Sequence, residues 1–418
     1  MFRPVRGMKD LYGADYRKYE YIRTQAMSVC ERYGYSEICS PMLEYSDVFR
    51  RGIGDETDVV SKEMYTFVDR GGESVTLRPE GTAGIIRAAV TESLIQTLPV
   101  RFMYCGEMFR YDRPQKGRYR QFRQFGCEYI GEKSPYVDAI VIATASEILN
   151  AIGIFDFTIL VNSLGDEETL EAYTKAVVKY FSRHEKSLSP ESQVRLSKNP
   201  LRILDSKDKT DIEICSMAPI ITDYFTREAG IYFGKVRELL DTYGLRYEVN
   251  NFLVRGLDYY THTAFEFKPV TGEFRDSIGG GGRYDRLVAL FGGPDVSGIG
   301  FAFGMERLMM LLSSEHFDTT TKTVAIIPVS DNENDYSFSL FRELHNADIA
   351  AEFIHSGNMS KKMKVVDRLG CELALIIGDE ERTSGTVSVK FMNVAESIAK
   401  SRTINANSVV QFVKNALK

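Results

Sequence analysis

Apolar side chains at Tyr19, Ile22, Ala26, Val29 and Tyr33 recur at gaps of three and four, which predicts an amphipathic helix over residues 13–34 ending near Gly34. The next stretch, Tyr35 to Glu44, has strand character but contains Pro41. Proline cannot donate to a ladder, so this strand belongs at a sheet edge or against a partner. Residues 100–110 and 121–131 read as two strands joined by a polar loop, Tyr111 to Arg120, with Pro114 and Gly117 as turn signals. Val137 to Ile152 reads as a helix and Phe155 to Asn162 as a buried strand. From about 167 to 249, polar helical segments broken by Pro190, Pro200 and Pro219 predict a helical insertion. Strand patterns resume at Asn251–Arg255 and Ala264–Phe267, and a glycine run follows at Gly279–Gly282. Gly298–Gly304 then reads as a strand leading into a helix from Met305 to Leu312.

Ser313 to Lys322 is poor in apolar residues and reads as a linker. Beyond it, strands at Val324–Val329, Ile349–Phe353 and Leu373–Ile377 alternate with helices at Tyr336–Asn346 and Ser360–Leu369, closing with Ser408–Leu417. That alternation predicts a small parallel-type sheet with helices. Two domains follow: residues 1–318, interrupted by the insertion, and residues 322–418.

The 418 residues are 44% hydrophobic and 26% charged, the balance of a globular protein rather than a disordered or fibrous one. A net charge of −6 argues against coating nucleic acid through bulk positive charge, while leaving room for a local basic groove. No stretch approaches the ~20 apolar residues of a membrane helix, and Met1 to Gly7 lacks an apolar signal core, so a cytoplasmic protein is expected. The six cysteines form no CxxC pair, and the five histidines form no HxxxH. A zinc ribbon, a disulfide scaffold and a histidine-ligated metal are therefore disfavoured.

The densest chemical signal lies between Arg110 and Arg123, where Arg110, Arg113, Lys116, Arg118, Arg120 and Arg123 face a single acid, Asp112. Like charges repel, and a bound polyanion such as a triphosphate would balance them; a solvated, salt-bridged hairpin is the plainer alternative. In the following strand Phe122, Gln124, Gly126 and Glu128 share one face. The glycine leaves space between an amide and a carboxylate, the outline of a floor for a small cationic ligand. Leu77-Arg78-Pro79-Glu80-Gly81-Thr82 offers a carboxylate and a hydroxyl for an ammonium group, or a helix cap by Thr82. Arg255-Gly256-Leu257-Asp258-Tyr259-Tyr260 places a cation before two tyrosines, and the Gly279–Gly282 run permits close approach of backbone to a ligand without matching a P-loop.

These residues resemble the class II aminoacyl-tRNA synthetases, and among them the histidyl-tRNA synthetase family. The class motifs are matched in order by Gly34-Tyr35 through Pro41 and Glu44, by Phe109-Arg110-Tyr111-Asp112 with its loop and returning strand, and by Gly298 to Arg307. Asp112 stands where class II enzymes often carry glutamate. The histidine-type signatures are matched by Leu253 to Thr261 and by Gly280-Gly281-Gly282-Arg283-Tyr284-Asp285. The resemblance implies an α+β fold: a six-stranded antiparallel catalytic sheet with helices, a helical insertion and a C-terminal α/β domain that binds the anticodon. It also implies a homodimer formed through the proline-bearing first motif.

The implied activity is ATP-dependent ligation of L-histidine to tRNA(His) through a histidyl-adenylate, with Mg2+ carried by the ATP phosphates. By this resemblance Arg110 and Arg255 flank the α-phosphate and the amino-acid carboxylate. Arg118, Arg120 and Arg307 hold the outer phosphates, and Phe122 stacks under adenine. Glu80, Thr82 and Gln124 receive the ammonium group, and the imidazole lies between Glu128 and Tyr260, with Tyr259 lining the pocket. The rival is a non-catalytic relative, the regulatory subunit of ATP phosphoribosyltransferase, which usually lacks the anticodon domain and has a degraded Arg255-type signature.

Overall fold

The computed structural model describes residues 2–417 except 56, 272, 273, 275, 313–321 and 393–400. The expected linker therefore falls almost wholly outside the described residues. Two compact units result, Met1–Asp318 and Thr319–Lys418.

In the first unit the strands are β1 (Ser36–Glu37), β2 (Leu43–Tyr45), β3 (Tyr65–Val68), β4 (Ser74–Leu77), β5 (Val100–Phe109), β6 (Gln121–Ile130), β7 (Phe157–Ser163), β8 (Tyr247–Val249), β9 (Thr261–Pro269), β10 (Gly279–Tyr284) and β11 (Gly298–Gly304). Eight of them form one sheet in the order β1-β5-β6-β11-β10-β9-β7-β8. The expected six-stranded antiparallel sheet is thus an eight-stranded mixed one. Its six central strands are antiparallel, and the short β1 and β8 pair parallel to β5 and β7 at the two edges. β1 lies within the strand expected at Tyr35–Glu44, whereas the three residues of β8 carry too little alternation to register as a strand in the sequence.

Pro41 divides the expected Tyr35–Glu44 strand in two. β1 ends before it at the edge of the large sheet, and β2 begins after it at the edge of a three-stranded sheet ordered β2-β4-β3. The missing N–H explains why neither piece runs through the proline. The expected strand at Asn251–Arg255 does not form; these residues are turn and irregular chain.

The helices of this unit are α1 (Gly13–Arg32), α2 (Ser46–Ile53), α3 (Thr82–Thr91), α4 (Pro135–Ala151), α5 (Glu167–His184), α6 (Pro190–Lys198), α7 (Lys209–Cys215), α8 (Arg227–Tyr243), α9 (Leu287–Leu290) and α10 (Met305–Leu311). One face of the large sheet is apolar because alternate strand residues point to it: Phe125 and Cys127 from β6, Phe265 and Phe267 from β9, Phe301 and Phe303 from β11. Ile22, Ala26 and Val29 of α1, Ile142, Ala145 and Ile148 of α4, and Val236 and Leu240 of α8 close over them. Each fully buried Phe or Ile contributes about 1.5–3 kcal/mol. A separate cluster around Tyr173, Val177, Phe181, Ile203 and Ile221 gives α5 to α7 a core of their own, whereas α8 and β8 belong to the main sheet. The opposite sheet face carries the glycines and polar residues, and it is left open.

The second unit has strands β12 (Val324–Pro328), β13 (Ala351–Phe353), β14 (Leu373–Ile377), β15 (Thr386–Phe391) and β16 (Ser401–Asn405) in the order β13-β12-β14-β15-β16. The first three are parallel, as the alternation predicts, and the last two are antiparallel. Helices α11 (Asn334–Asn346), α12 (Met359–Leu369), α13 (Asp379–Ser384) and α14 (Val409–Ala416) complete it.

Candidate active site

The open sheet face is the floor of a cavity of about 640 Å³. Of the residues singled out in the sequence, Glu80, Thr82, Arg110, Arg118, Phe122, Gln124, Arg255, Tyr259, Tyr260 and Arg307 line it. They come from six places in the chain: the start of α3, the end of β5, the following loop, β6, the irregular segment before β9, and α10. Glu128 lies just beneath the wall and Arg120 lies outside.

The Gly279–Gly282 run is the middle strand of this floor. A side-chain carbon on Gly280 would sit 2.9 Å from Arg255 Nη1, and one on Gly282 would sit 2.8 Å from the Tyr260 ring. These glycines therefore make room first for the protein's own arginine and tyrosine, which lie flat on the sheet. Gly126 works similarly. The space that the sequence assigns to a ligand is filled by Tyr104, whose hydroxyl would be 2.5 Å from an added carbon.

Among the guanidinium groups that line the cavity are those of Arg110, Arg255 and Arg307. Arg110 donates through Nε to the Pro79 carbonyl at 2.8 Å and lies over the Phe122 ring, 5.5 Å from its centroid. Arg255 lies 3.6 Å from Glu266 and 5.8 Å from the centre of the Tyr260 ring, and its Nε is buried without a partner. Burial works against its charge, but the Tyr260 phenol and Glu266 carry its pKa above the ordinary value. Arg307 donates through Nε to the Gly117 carbonyl at 3.1 Å and through Nη1 to that of Ser277. Its pKa is held below the ordinary value by burial, and by the like charges of Arg118 and Arg110. Cations gathered closely enough to disfavour one another fit an absent anion.

Two further arginines of the basic hairpin, Arg118 and Arg123, are paired with acids. Arg118 reaches Asp112 at 3.4 Å and Asp276 at 3.8 Å, and Arg123 reaches Glu107 at 3.3 Å and Glu306 at 3.5 Å. Arg120 stacks over Tyr111 at 3.6 Å and donates to the Asp112 carbonyl. The loop's apparent excess of charge is a local count; three of these acids come from other segments of the chain.

Deeper in, Glu128 is fully buried and accepts from Thr82 Oγ1 at 2.7 Å and Tyr284 OH at 2.5 Å. Burial pushes its carboxyl up to about 8, against the pull of those two donors. Two donors leave lone pairs free on a carboxylate, which has about four acceptor positions. Glu80, also buried, accepts from the backbone N–H groups of Thr82 and Ala83 at 2.6 and 2.8 Å. The helix cap is therefore Glu80, not Thr82, and the Thr82 hydroxyl is freed for Glu128. Burial raises the Glu80 carboxyl, opposed by those N–H groups and by Arg110. Gln124 Oε1 is buried with no partner. Tyr259 packs between Tyr260 and Tyr284 with ring centres 4.6 and 5.8 Å away.

Sequence reasoning missed Glu266, Tyr284 and the residues that the insertion brings to the far wall, among them Arg195, Arg202, Asp205 and Lys207. Glu266 had a signal, a carboxylate between Phe265 and Phe267; the insertion's residues had none. Among the described residues, no group of three or more His, Cys, Asp or Glu side chains converges to hold a metal, and no helix is long and apolar enough to cross a membrane.

The family model described as histidyl-tRNA synthetase matches residues 7–176 and 232–308, and the model of an anticodon binding domain matches 323–416. The chain is 44% identical over 395 residues to the histidine–tRNA ligase of Rhodospirillum rubrum, covering 94% of this chain and 95% of that one. It is 43% identical over 396 residues to the histidine–tRNA ligase of Thermosynechococcus vestitus, covering 94% and 92%. Among solved structures, apo histidyl-tRNA synthetase of S. aureus superposes with a TM-score of 0.81 at 34% identity, over 99% of this chain and 100% of that one. An ATP phosphoribosyltransferase regulatory subunit/histidyl-tRNA synthetase from Bacillus halodurans, at 21% identity and a TM-score of 0.67 over 90% and 98%, shares the fold. With these matches running through both units, the chain belongs to the histidyl-tRNA synthetase family.

Proposed function

We propose that this chain activates L-histidine with ATP and transfers the histidyl group to tRNA(His). The observation that carries this reading is the set of buried, unpartnered polar atoms on residues that line one cavity: Gln124 Oε1, Arg255 Nε and Arg118 Nε. Buried polar atoms are rarely left unmatched without reason, and here the unmatched set contains both an acceptor and donors, as a zwitterion and a phosphate chain require.

The first step brings a carboxylate in line with the α-phosphorus, so two anions must meet. Arg110 and Arg255 would lower that repulsion and fix the geometry. Arg118 and Arg307 would take the outer phosphates, with Asp112 and Asp276 surrendering Arg118 as the nucleotide enters. Arg120, lying off the cavity, serves by bracing the loop against Tyr111. Phe122, already covered by Arg110, offers a face for adenine. Magnesium would arrive with the nucleotide and supply charge neutralisation at its phosphates.

Glu80, Thr82 and Gln124 would receive the ammonium group, with the imidazole between Glu128 and Tyr260 and against Tyr259. An imidazole has two ring nitrogens, and a carboxyl opposite a phenol engages both. Apolar isosteres would leave both groups unpaired in a buried site, which is strongly unfavourable.

Residues 322–418 would bind the anticodon. A homodimer is supported by the apolar exposure of the small sheet, where Leu43, Tyr45, Phe67 and Val68 all reach solvent beside Pro41. The chain would use magnesium, form a homodimer and work in the cytoplasm. The regulatory-subunit alternative is opposed by the Arg255 signature and the second unit, both present. Charging of a tRNA(His) transcript with labelled histidine tests the proposal: ATP-dependent incorporation is expected, and incorporation of another amino acid in its place would overturn it.

A further inference from the structure

Arg255 belongs to a segment, residues 250–260, with no helix or strand of its own. Its backbone is therefore held from outside. Asn162 Nδ2 donates to the Leu253 carbonyl at 3.0 Å, and the Asp258 N–H donates to the Ile53 carbonyl at 3.0 Å. Two further supports come from the helical insertion. Arg202 Nη1 donates to the carbonyl of Arg255 itself at 3.3 Å, and Asn199 Nδ2 donates to Asp258 Oδ1 at 2.7 Å.

Arg202 is in turn held through its other terminal nitrogen. Its Nη2 lies 3.6 Å from Asp58 Oδ2, and Arg195 lies 3.1 Å from the same oxygen. Gly256 admits the guanidinium, since a side-chain carbon there would lie 3.0 Å from Arg202 Nη1. The insertion does not need Arg202 for its own folding: Tyr173, Val177, Phe181 and Ile203 form its core, and buried Asp211 ties Ser189, Ser192 and Ser206 together.

We propose that Arg202 is a positioning residue for Arg255: anchored on Asp58, it clamps the Arg255 carbonyl and so aims the Arg255 guanidinium at the reacting phosphate. The inference rests on the placement of Arg255 at the α-phosphate. It makes the insertion a structural part of the active site as well as a neighbour of it. A misplacement of about 1 Å costs up to ~100-fold in rate, and loss of one of several supports is expected to cost about tenfold.

Histidine-dependent ATP–pyrophosphate exchange on the full chain tests it, with Arg202→Gln, Arg202→Lys, Asp58→Asn, the Arg202→Gln/Asp58→Asn double variant and Arg255→Gln. Arg202→Gln is expected to lower kcat about tenfold with both KM values within twofold, and Arg202→Lys, which keeps a cationic donor, to recover most of the loss. Asp58→Asn should lower kcat about threefold, and the double variant should lose less than the product of the two single losses, because the Arg202–Asp58 contact is shared by both. If Arg202→Gln fails to fold, the nearly isosteric Asp58→Asn decides alone. A kcat within twofold of the parent, or a raised ATP KM at unchanged kcat, would overturn the proposal. Full exchange activity in Arg255→Gln would instead overturn the placement of Arg255 on which it rests.

Discussion

Glu128 and Tyr284 are joined by a 2.5 Å hydrogen bond behind the cavity wall, carboxyl to phenol, both fully buried. The pairing ties the returning strand of the basic hairpin to the strand of the glycine run, across β11. It also sets the chemistry of the carboxyl, which with Thr82 on its other oxygen is pushed up to about 8 by burial.

A pH dependence follows. Below about 8 Glu128 holds a proton in the free protein, while free imidazole is neutral above about 6.5. Between those values the complex needs one shared proton and binding exchanges none. Above about 8 a proton must be taken up, and below about 6.5 one must be released. The histidine KM should therefore be flat from about pH 6.5 to 8 and rise up to tenfold per unit on either side. Glu128→Gln should raise the histidine KM far more than the ATP KM and abolish the alkaline rise. Exchange kinetics across pH check this.

Gly282→Ala would drive a carbon against the Tyr260 ring and within 2.6 Å of the Thr263 carbonyl. Over-packing of this kind costs about 1–3 kcal/mol. A rise of roughly tenfold in histidine KM is expected, with a smaller change in ATP KM, as measured by exchange with each substrate varied in turn.

Arg110→Gln removes a guanidinium whose Nε is already fixed on the Pro79 carbonyl. The loss should fall on the transition state, about 3 kcal/mol or ~100-fold in kcat/KM, with folding unchanged. Single-turnover formation of the adenylate measures it.

Asp138 and Arg283 are both fully buried, paired through Arg283 Nε at 3.0 Å, with Thr263 donating to the second Asp138 oxygen. They pin β10 to α4 on the far side of the sheet from the site. Asp138→Ala strands a buried guanidinium and should destabilise the protein by about 3–5 kcal/mol. Calorimetric unfolding of the variant reports it.

Phe67 stands on an apolar, solvent-facing part of the three-stranded sheet. If the proposed homodimer forms through this sheet, Phe67→Glu gives a monomer in analytical ultracentrifugation, against a dimer for the parent, without changing the circular dichroism.

Periodicity showed the long elements: α1, β5, β6 and α4 lie within two residues of where the apolar pattern places them. It failed where an element is too short to alternate, as at β8, and where a glycine run carries no apolar pattern, as at β10. At the site the residue types were legible and several of their roles were not. Glu80 caps a helix through its own side chain, and Gly126 houses Tyr104. The acids that neutralise Arg118 and Arg123 sit as far away as Asp276 and Glu306. Contacts so distant in sequence leave no local trace, and the wall supplied by the insertion left none either.

Amino-acid-dependent ATP–pyrophosphate exchange, run on the purified chain against all twenty amino acids, bears most directly on the reading of the cavity. Rapid exchange with histidine and background exchange with the other nineteen is the predicted result. Binding of histidine without any exchange, or exchange driven equally by a second amino acid, would contradict it.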